Sequence, residues 1–161
     1  MEQLVLLVED DEDDVFFMQR AFKSAKILNP LNVATDGAKA IDYLSGAGMY
    51  ADRSAWPIPG LILLDLKLPL VLGLDVLKWI RSIPEFKSII IVVLTSSKED
   101  ADVEKAYRLG ANSYLVKPPD SDKLQEMVVR IKEYWMELNQ LTPQCVEFAR
   151  GGTVEISDKG T

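Results

Sequence analysis

The sequence predicts an α/β fold: a (βα)5 doubly wound domain with a five-stranded parallel sheet and helices on both faces. Three observations carry this. Five short runs rich in Val, Ile and Leu occur at 4–8, 31–34, 61–64, 89–94 and 113–116. They are nearly continuous in apolar character, as parallel strands buried on both faces must be. Between them lie amphipathic stretches with apolar residues at three- and four-residue steps, and strictly alternating β and α segments imply an open parallel sheet.

The elements follow in order. The first strand, LVLLV, runs straight into six acids, Glu9 to Asp14. The stretch 14–25 carries Val15, Met18, Ala21, Phe22 and Ala25 on one helical face. After the second strand, Asp36-Gly37 opens a helix over 38–44 with Ala40, Ile41 and Leu44 inward. Residues 46–60, GAGMYADRSAWPIPG, are expected to be a long connection to the third strand. The third helix, 74–83, is marked by Leu74, Leu77, Trp79 and Ile80. The fourth, 101–109, carries Val103, Ala106, Tyr107 and Leu109, with Ser97 to Asp100 as a capping box before it and Gly110 as its stop. The fifth, 124–138, follows Asp120-Ser121 and carries Leu124, Met127, Val128, Ile131, Trp135 and Leu138. Beyond it, Val146 and Phe148, then Val154 and Ile156, alternate around Gly151-Gly152, which predicts a hairpin. A lone hairpin is marginal in water and has to dock on something. The expected division is a domain over 1–139 and a tail over 140–161 acting as a strand-like dimerisation arm.

Composition narrows the chemistry. The chain has 161 residues, 48% of them apolar, a formal charge of −7, one cysteine and no histidine. An acidic chain is repelled by nucleic acid, whose binding rests on neutralising phosphates. No apolar run approaches the roughly 18 residues of a bilayer span, and no secretion signal opens the chain, so a cytoplasmic protein without membrane contact is expected. The absence of histidine removes Ser-His catalysis, His metal sites and an internal phosphohistidine. Cys145 is expected to be an unreactive thiol, with no basic cluster near it in sequence.

In such a sheet, ligands sit outside the carboxyl ends of the strands. Glu9, Asp10 and Asp11 follow the first strand, Asp65 ends the third, Thr95 the fourth and Lys117 the fifth. Any one acid after a strand is ordinarily a turn or a helix cap, and Asp11, Glu12, Asp13 and Asp14 are assigned to the N-terminal dipole of the first helix. Together, however, the strand ends bring carboxylates, a hydroxyl and an ammonium to one edge. Two carboxylates about 4 Å apart cost on the order of 4 kcal/mol at an effective dielectric of 20, so the cluster calls for a cation. Oxygen-only ligands suit Mg2+. With the metal bound, Asp65 can attack phosphorus while Lys117 and Thr95 meet phosphoryl oxygens.

The motifs LLVEDD, LILLDLKLP, VVLTSS and LGANSYLVKP resemble the receiver domain of bacterial two-component response regulators over about residues 1–139. The resemblance implies a flavodoxin-like strand order 2-1-3-4-5. It implies Asp65 as phosphoacceptor, Asp10 as direct Mg2+ ligand with Glu9 at the companion acidic position, and the main-chain carbonyl of Lys67 as a further ligand. Thr95 and Tyr114 match the family's switch pair, and Lys117-Pro118 its cis peptide. Leu72 and Pro119 depart from the commoner Asp and Phe, which bears on loop shape and partner choice. No DNA-binding domain follows Asn139, so a single-domain regulator acting through protein contacts is expected, promoting only its own phosphorylation and dephosphorylation. Its expected partners are a sensor histidine kinase, a downstream protein target or phosphotransfer protein, and a second copy in a homodimer. The loop GAGMYADR and the tail resemble the subgroup partnered with phytochrome-type kinases. The alternative is an adaptor that binds partners without phosphorylation. A haloacid-dehalogenase-type phosphatase is disfavoured because Lys67 stands where such enzymes have a second Asp. The acidic first loop argues against a flavodoxin, and DDEDD lacks the turn Gly and terminal Glu of an EF-hand.

Overall fold

A computed structural model describes residues 2–156. The strands are β1 (Val5–Val8), β2 (Leu31–Ala34), β3 (Leu61–Leu64), β4 (Ile90–Thr95) and β5 (Ser113–Val116). They form one parallel sheet in the order β2-β1-β3-β4-β5. The helices are α1 (Glu12–Ser24), α2 (Gly37–Ser45), α3 (Gly73–Ser82), α4 (Asp100–Arg108), α5 (Ser121–Ile131) and α6 (Pro143–Ala149). The fifth helix does not run as one α-helix to Leu138: after Ile131 the backbone widens into a π-helical stretch, Lys132–Leu138.

The two-residue period of the strands divides the core. Leu4, Leu6, Val8, Ile62, Leu64, Ile91 and Val93 face α2, α3 and α4. Val5, Leu7, Leu61, Leu63, Val92 and Leu94 face α1 and α5, where Met18, Phe22, Val128 and Ile131 meet them. The inner strands β1, β3 and β4 are buried on both sides, which continuous apolar runs satisfy, while the edge strands β2 and β5 are only half-buried. Helix starts agree with the sequence at α1, α2 and α5, where Asp11, Asp36 and Asp120 accept first-turn N–H bonds. The capping box expected at 97–100 does not form. Glu99 precedes α4 without a side-chain cap, and the Ser97 hydroxyl donates instead to Asp102 Oδ2 at 2.6 Å. Asp102, in the first turn of α4, reaches back to Ser97, whose hydroxyl oxygen also accepts the Glu99 N–H at 3.3 Å.

The tail is a correction. No hairpin forms around Gly151-Gly152; residues 143–149 are helical. Thr142 accepts the Cys145 N–H and Pro143 occupies the first turn, which together start a helix. Cys145 and Phe148, three apart, are buried against the α2-α3-α4 side of the core, with Val154 and Ile156 packed on the same side. The Cys145 thiol donates to the Ser88 carbonyl at 3.3 Å. As far as Ile156 the tail thus folds onto its own domain, and among its described residues the strand-like arm from which a homodimer was expected is not formed; residues 157–161 of that expected arm lie outside the described residues.

Two guanidiniums, that of Arg53 buried and that of Arg81 half-buried, organise the loops. Arg53, in the long 46–60 connection, donates to the Tyr43 and Leu44 carbonyls at 2.7 Å each, closing the C-terminus of α2. Tyr43, Tyr50 and Trp56 pack against one another in tilted and edge-to-face pairs, so this connection is packed rather than loose. Arg81, from α3, donates to the Gly110 carbonyl at 2.8 Å, Asn112 Oδ1 at 2.9 Å and the Phe86 and Lys87 carbonyls. It fastens the C-terminal end of α4 to the base of β4.

Candidate functional site: an acidic cleft at the carboxyl edge of the sheet

Sheet register assembles the cleft. Val8 pairs with Leu64, so Glu9 and Asp65, each one residue further, stand side by side. Leu64 pairs with Val93 and Thr95 with Val116, which brings Thr95 and Lys117 to the same edge. The Lys117 N–H donates to the Thr95 carbonyl at 2.7 Å and extends the β4–β5 pairing into the cleft.

Asp65 is buried, 7% exposed. Its Oδ1 accepts the Leu66 N–H at 2.7 Å and the Lys67 N–H at 3.4 Å, and its Oδ2 accepts from the Lys117 ammonium at 3.3 Å. One carboxylate oxygen is thus fixed by backbone and the other turned to the cleft. Behind it, Gly73 makes room: its N–H donates to the Leu66 carbonyl at 2.9 Å, and a Cβ there would lie 2.1 Å from the Asp65 carbonyl oxygen.

Glu9, Asp10 and Asp65 each offer a carboxylate oxygen, all within 4.8 Å of one another. Glu9 is buried and Asp10 exposed at the rim. The three are hard oxygen donors with mixed exposure, a set that fits Mg2+ or Mn2+ and leaves room for water ligands. Lys67 lies two residues past Asp65 in the same turn.

The Lys117 ammonium bonds Glu9 and Asp65 and also Asp14 Oδ2, at 3.0 Å. From the sequence alone Asp14 belongs with the acids at the dipole of the first helix. Burial tends to lower the ammonium's pKa, but the Glu9, Asp65 and Asp14 carboxylates outweigh it and hold Lys117 above its usual range. Glu9 moves the other way for an acid: desolvation raises it from 4.5 to about 7, against the pull of Lys117. The protonated form of Glu9 therefore stabilises the metal-free fold below about pH 4.5, and this contribution is lost as pH rises through about 7. A divalent ion competes with that proton. Its affinity is expected to fall as pH drops below about 7, by up to roughly tenfold per pH unit. Titrating Mn2+ at stepped pH checks this, and Glu9→Gln should flatten the dependence.

Thr95 is fully buried, its Oγ1 accepting the Ser97 N–H at 3.4 Å. Tyr114, on β5, is half-buried and donates its hydroxyl to the Ser97 carbonyl at 3.0 Å. Burial, then the Asp102 and Asp65 charges, raise its phenol above the usual value. Thr95 and Tyr114 are thus joined through one loop residue, Ser97. The cis Lys117-Pro118 bond is a further correction: no peptide bond among the described residues is cis. Trans is the ordinary isomer even before proline, and the four-carbon lysine stem reaches the carboxylates from it.

The profile of the response regulator receiver domain matches residues 5–129. The chain belongs to the response regulator receiver family. It is 39% identical over 140 residues to the probable methanogenesis regulatory protein FilR2 of Methanothrix harundinacea, covering 85% of this chain and 86% of that protein. It is 38% identical over 135 residues to the response regulator Rcp1 of Synechocystis, covering 84% and 90%. The crystal structure of the Mn2+-bound form of Rcp1 superposes with a TM-score of 0.79, covering 87% of this chain and 99% of that one. That of the phosphorylated cyanobacterial phytochrome response regulator RcpA, 34% identical, gives 0.82 over 88% and 99%. The receiver chain therefore carries the family's sheet order and an acidic cluster suited to a divalent ion. Among its described residues, no helix is long and apolar enough to cross a membrane.

Proposed function

We propose that this receiver protein accepts a phosphoryl group on Asp65 from the phosphohistidine of a sensor kinase and signals through protein contacts that phosphorylation controls. The observation that carries the reading is the convergence of Asp65, Glu9, Asp10 and Lys117 in one cleft. In the transfer, the Asp65 Oδ2–P bond forms as the P–N bond to the kinase imidazole breaks and its electron pair returns to the ring. Leu66 and Lys67 N–H groups hold Oδ1 so that Oδ2 faces the incoming phosphorus. Lys117 donates to one phosphoryl oxygen and Thr95, turning from its Ser97 contact, to another. A divalent ion held by Glu9, Asp10 and Asp65, with the Lys67 carbonyl, would supply charge neutralisation at the remaining oxygens. Release of the Thr95–Ser97 contact reaches Tyr114 through the Ser97 carbonyl, so Thr95 and Tyr114 act as the switch. The chain contains no histidine, so the donor imidazole comes from another molecule.

The likeness to RcpA and Rcp1 favours a phytochrome-type kinase as donor and the cytoplasm as setting. The charge of −7 favours a protein over nucleic acid as the downstream target. Incubation with Mg2+ and acetyl phosphate, read by intact mass, tests the reading. The expected result is a gain of one phosphoryl group that Asp65→Asn abolishes. No gain, or a gain that survives Asp65→Asn, would overturn it and favour the phosphorylation-independent adaptor.

A further inference from the structure

A lysine ammonium has three N–H donors, and those of Lys117 are all taken, by Glu9, Asp14 and Asp65. Asp14 differs from the other two partners. It comes from α1 rather than a strand end, and it lies outside the Glu9–Asp10–Asp65 group. Its side chain is 45% exposed, against 2% for Glu9 and 10% for Asp65.

We infer that Asp14 is a positioning residue that restrains phosphoryl transfer to Asp65 by holding Lys117 toward α1. The inference rests on the proposed function and adds a control to the same cleft. Two effects share one sign. Asp14 occupies an N–H that a phosphoryl oxygen needs. It also places a carboxylate beside the path of an anionic donor. Counted as ionised, Glu9, Asp10, Asp14 and Asp65 against Lys117 and a divalent ion leave one net negative charge, and removing Asp14 brings the cleft to neutrality. The ammonium has room to shift: a cavity of about 50 Å³ lined by Glu9, Asp14, Lys117 and Leu124 opens beside it. Glu9 and Asp65 are tied to the metal-binding group, so the bond to Asp14 is the one free to yield when a phosphoryl oxygen arrives.

The test follows intact mass over time for the full chain with Mg2+ and acetyl phosphate. In that reaction the P–O bond to acetate breaks with its electron pair leaving on acetate, and the Asp65 O–P bond forms. Asp14→Asn and Asp14→Ala are expected to gain the phosphoryl group about two- to five-fold faster than the parent chain, the scale of one half-exposed ion pair. Asp14→Glu, which restores the charge, should return the rate to the parent value. The advantage of Asp14→Asn should shrink as salt is raised, a response that a loss of packing would not give. Equal or slower phosphorylation of both neutral variants would overturn the inference while leaving the phosphoacceptor reading intact. Absence of any mass gain, in parent and variants alike, would overturn both.

Discussion

Replacing Lys117 with Met is expected to slow phosphorylation of Asp65 by about 10²–10³-fold, the cost of removing one preorganised donor from a developing anionic oxygen. Methionine keeps the length and apolar stem of lysine and removes only the ammonium. The same change leaves Glu9, Asp14 and Asp65 without their shared partner, and of these Glu9 and Asp65 are buried. Glu9 should then hold its proton to still higher pH, since Lys117 is what opposes its desolvation. The variant should fold, because the protonated carboxyl tolerates burial. Intact-mass time courses on parent and Lys117→Met chains at fixed Mg2+ measure the effect. A loss smaller than about tenfold would remove Lys117 from the transfer machinery.

Gly73→Ala is expected to destabilise the chain by about 3 kcal/mol, at the upper end for overpacking a close-packed site. The added methyl would stand 2.1 Å from the Asp65 carbonyl oxygen and 2.6 Å from the Leu66 Cα, both backbone atoms at the end of β3. Backbone has no rotamer to yield, so either the start of α3 or the turn carrying Asp65 must move. Movement of that turn would disturb the Leu66 and Lys67 N–H bonds that fix Oδ1. Phosphorylation should therefore fall together with stability. Urea melts paired with the mass assay measure both, and a variant with unchanged melting midpoint would show that the turn relaxes freely.

Much of this architecture was legible because parallel strands announce themselves. LVLLV, LILL and IIVVLT are buried on both faces, and no other setting tolerates such runs beside so many charges. Register then followed from topology, and with it the meeting of Glu9, Asp65, Thr95 and Lys117 at one edge. What was not legible involved side chains that cross between elements. Asp14 sits in a helical first turn crowded with acids, where the dipole explains any carboxylate, and only the approach of β5 gives it Lys117 as partner. Ser97 has an acid three residues on, as a capping box requires, yet bonds the one five residues on. The tail was ambiguous for a simpler reason. Val146 and Phe148 fit a two-residue period, while Cys145 and Phe148 fit a helical step equally well. Thr142-Pro143 was the signal that decides between them. The guanidinium of Arg53 gave no warning either, since a charged residue in a long loop ordinarily faces water.

The two ends of α4 are held unequally. At its C-terminus, Arg81 grips Gly110 and Asn112 and reaches the base of β4, a clamp made of a rigid, permanently charged fork. At its N-terminus no side chain caps the first turn; Ser97 bonds Asp102 and the Glu99 N–H, and the Tyr114 hydroxyl bonds Ser97. A rod pinned at one end and lightly tethered at the other swings about the pin rather than sliding along its length. Motion begun at Thr95 would thus be greatest where α4 begins and would fade toward Arg108, which sets the surface that a listening molecule would have to read.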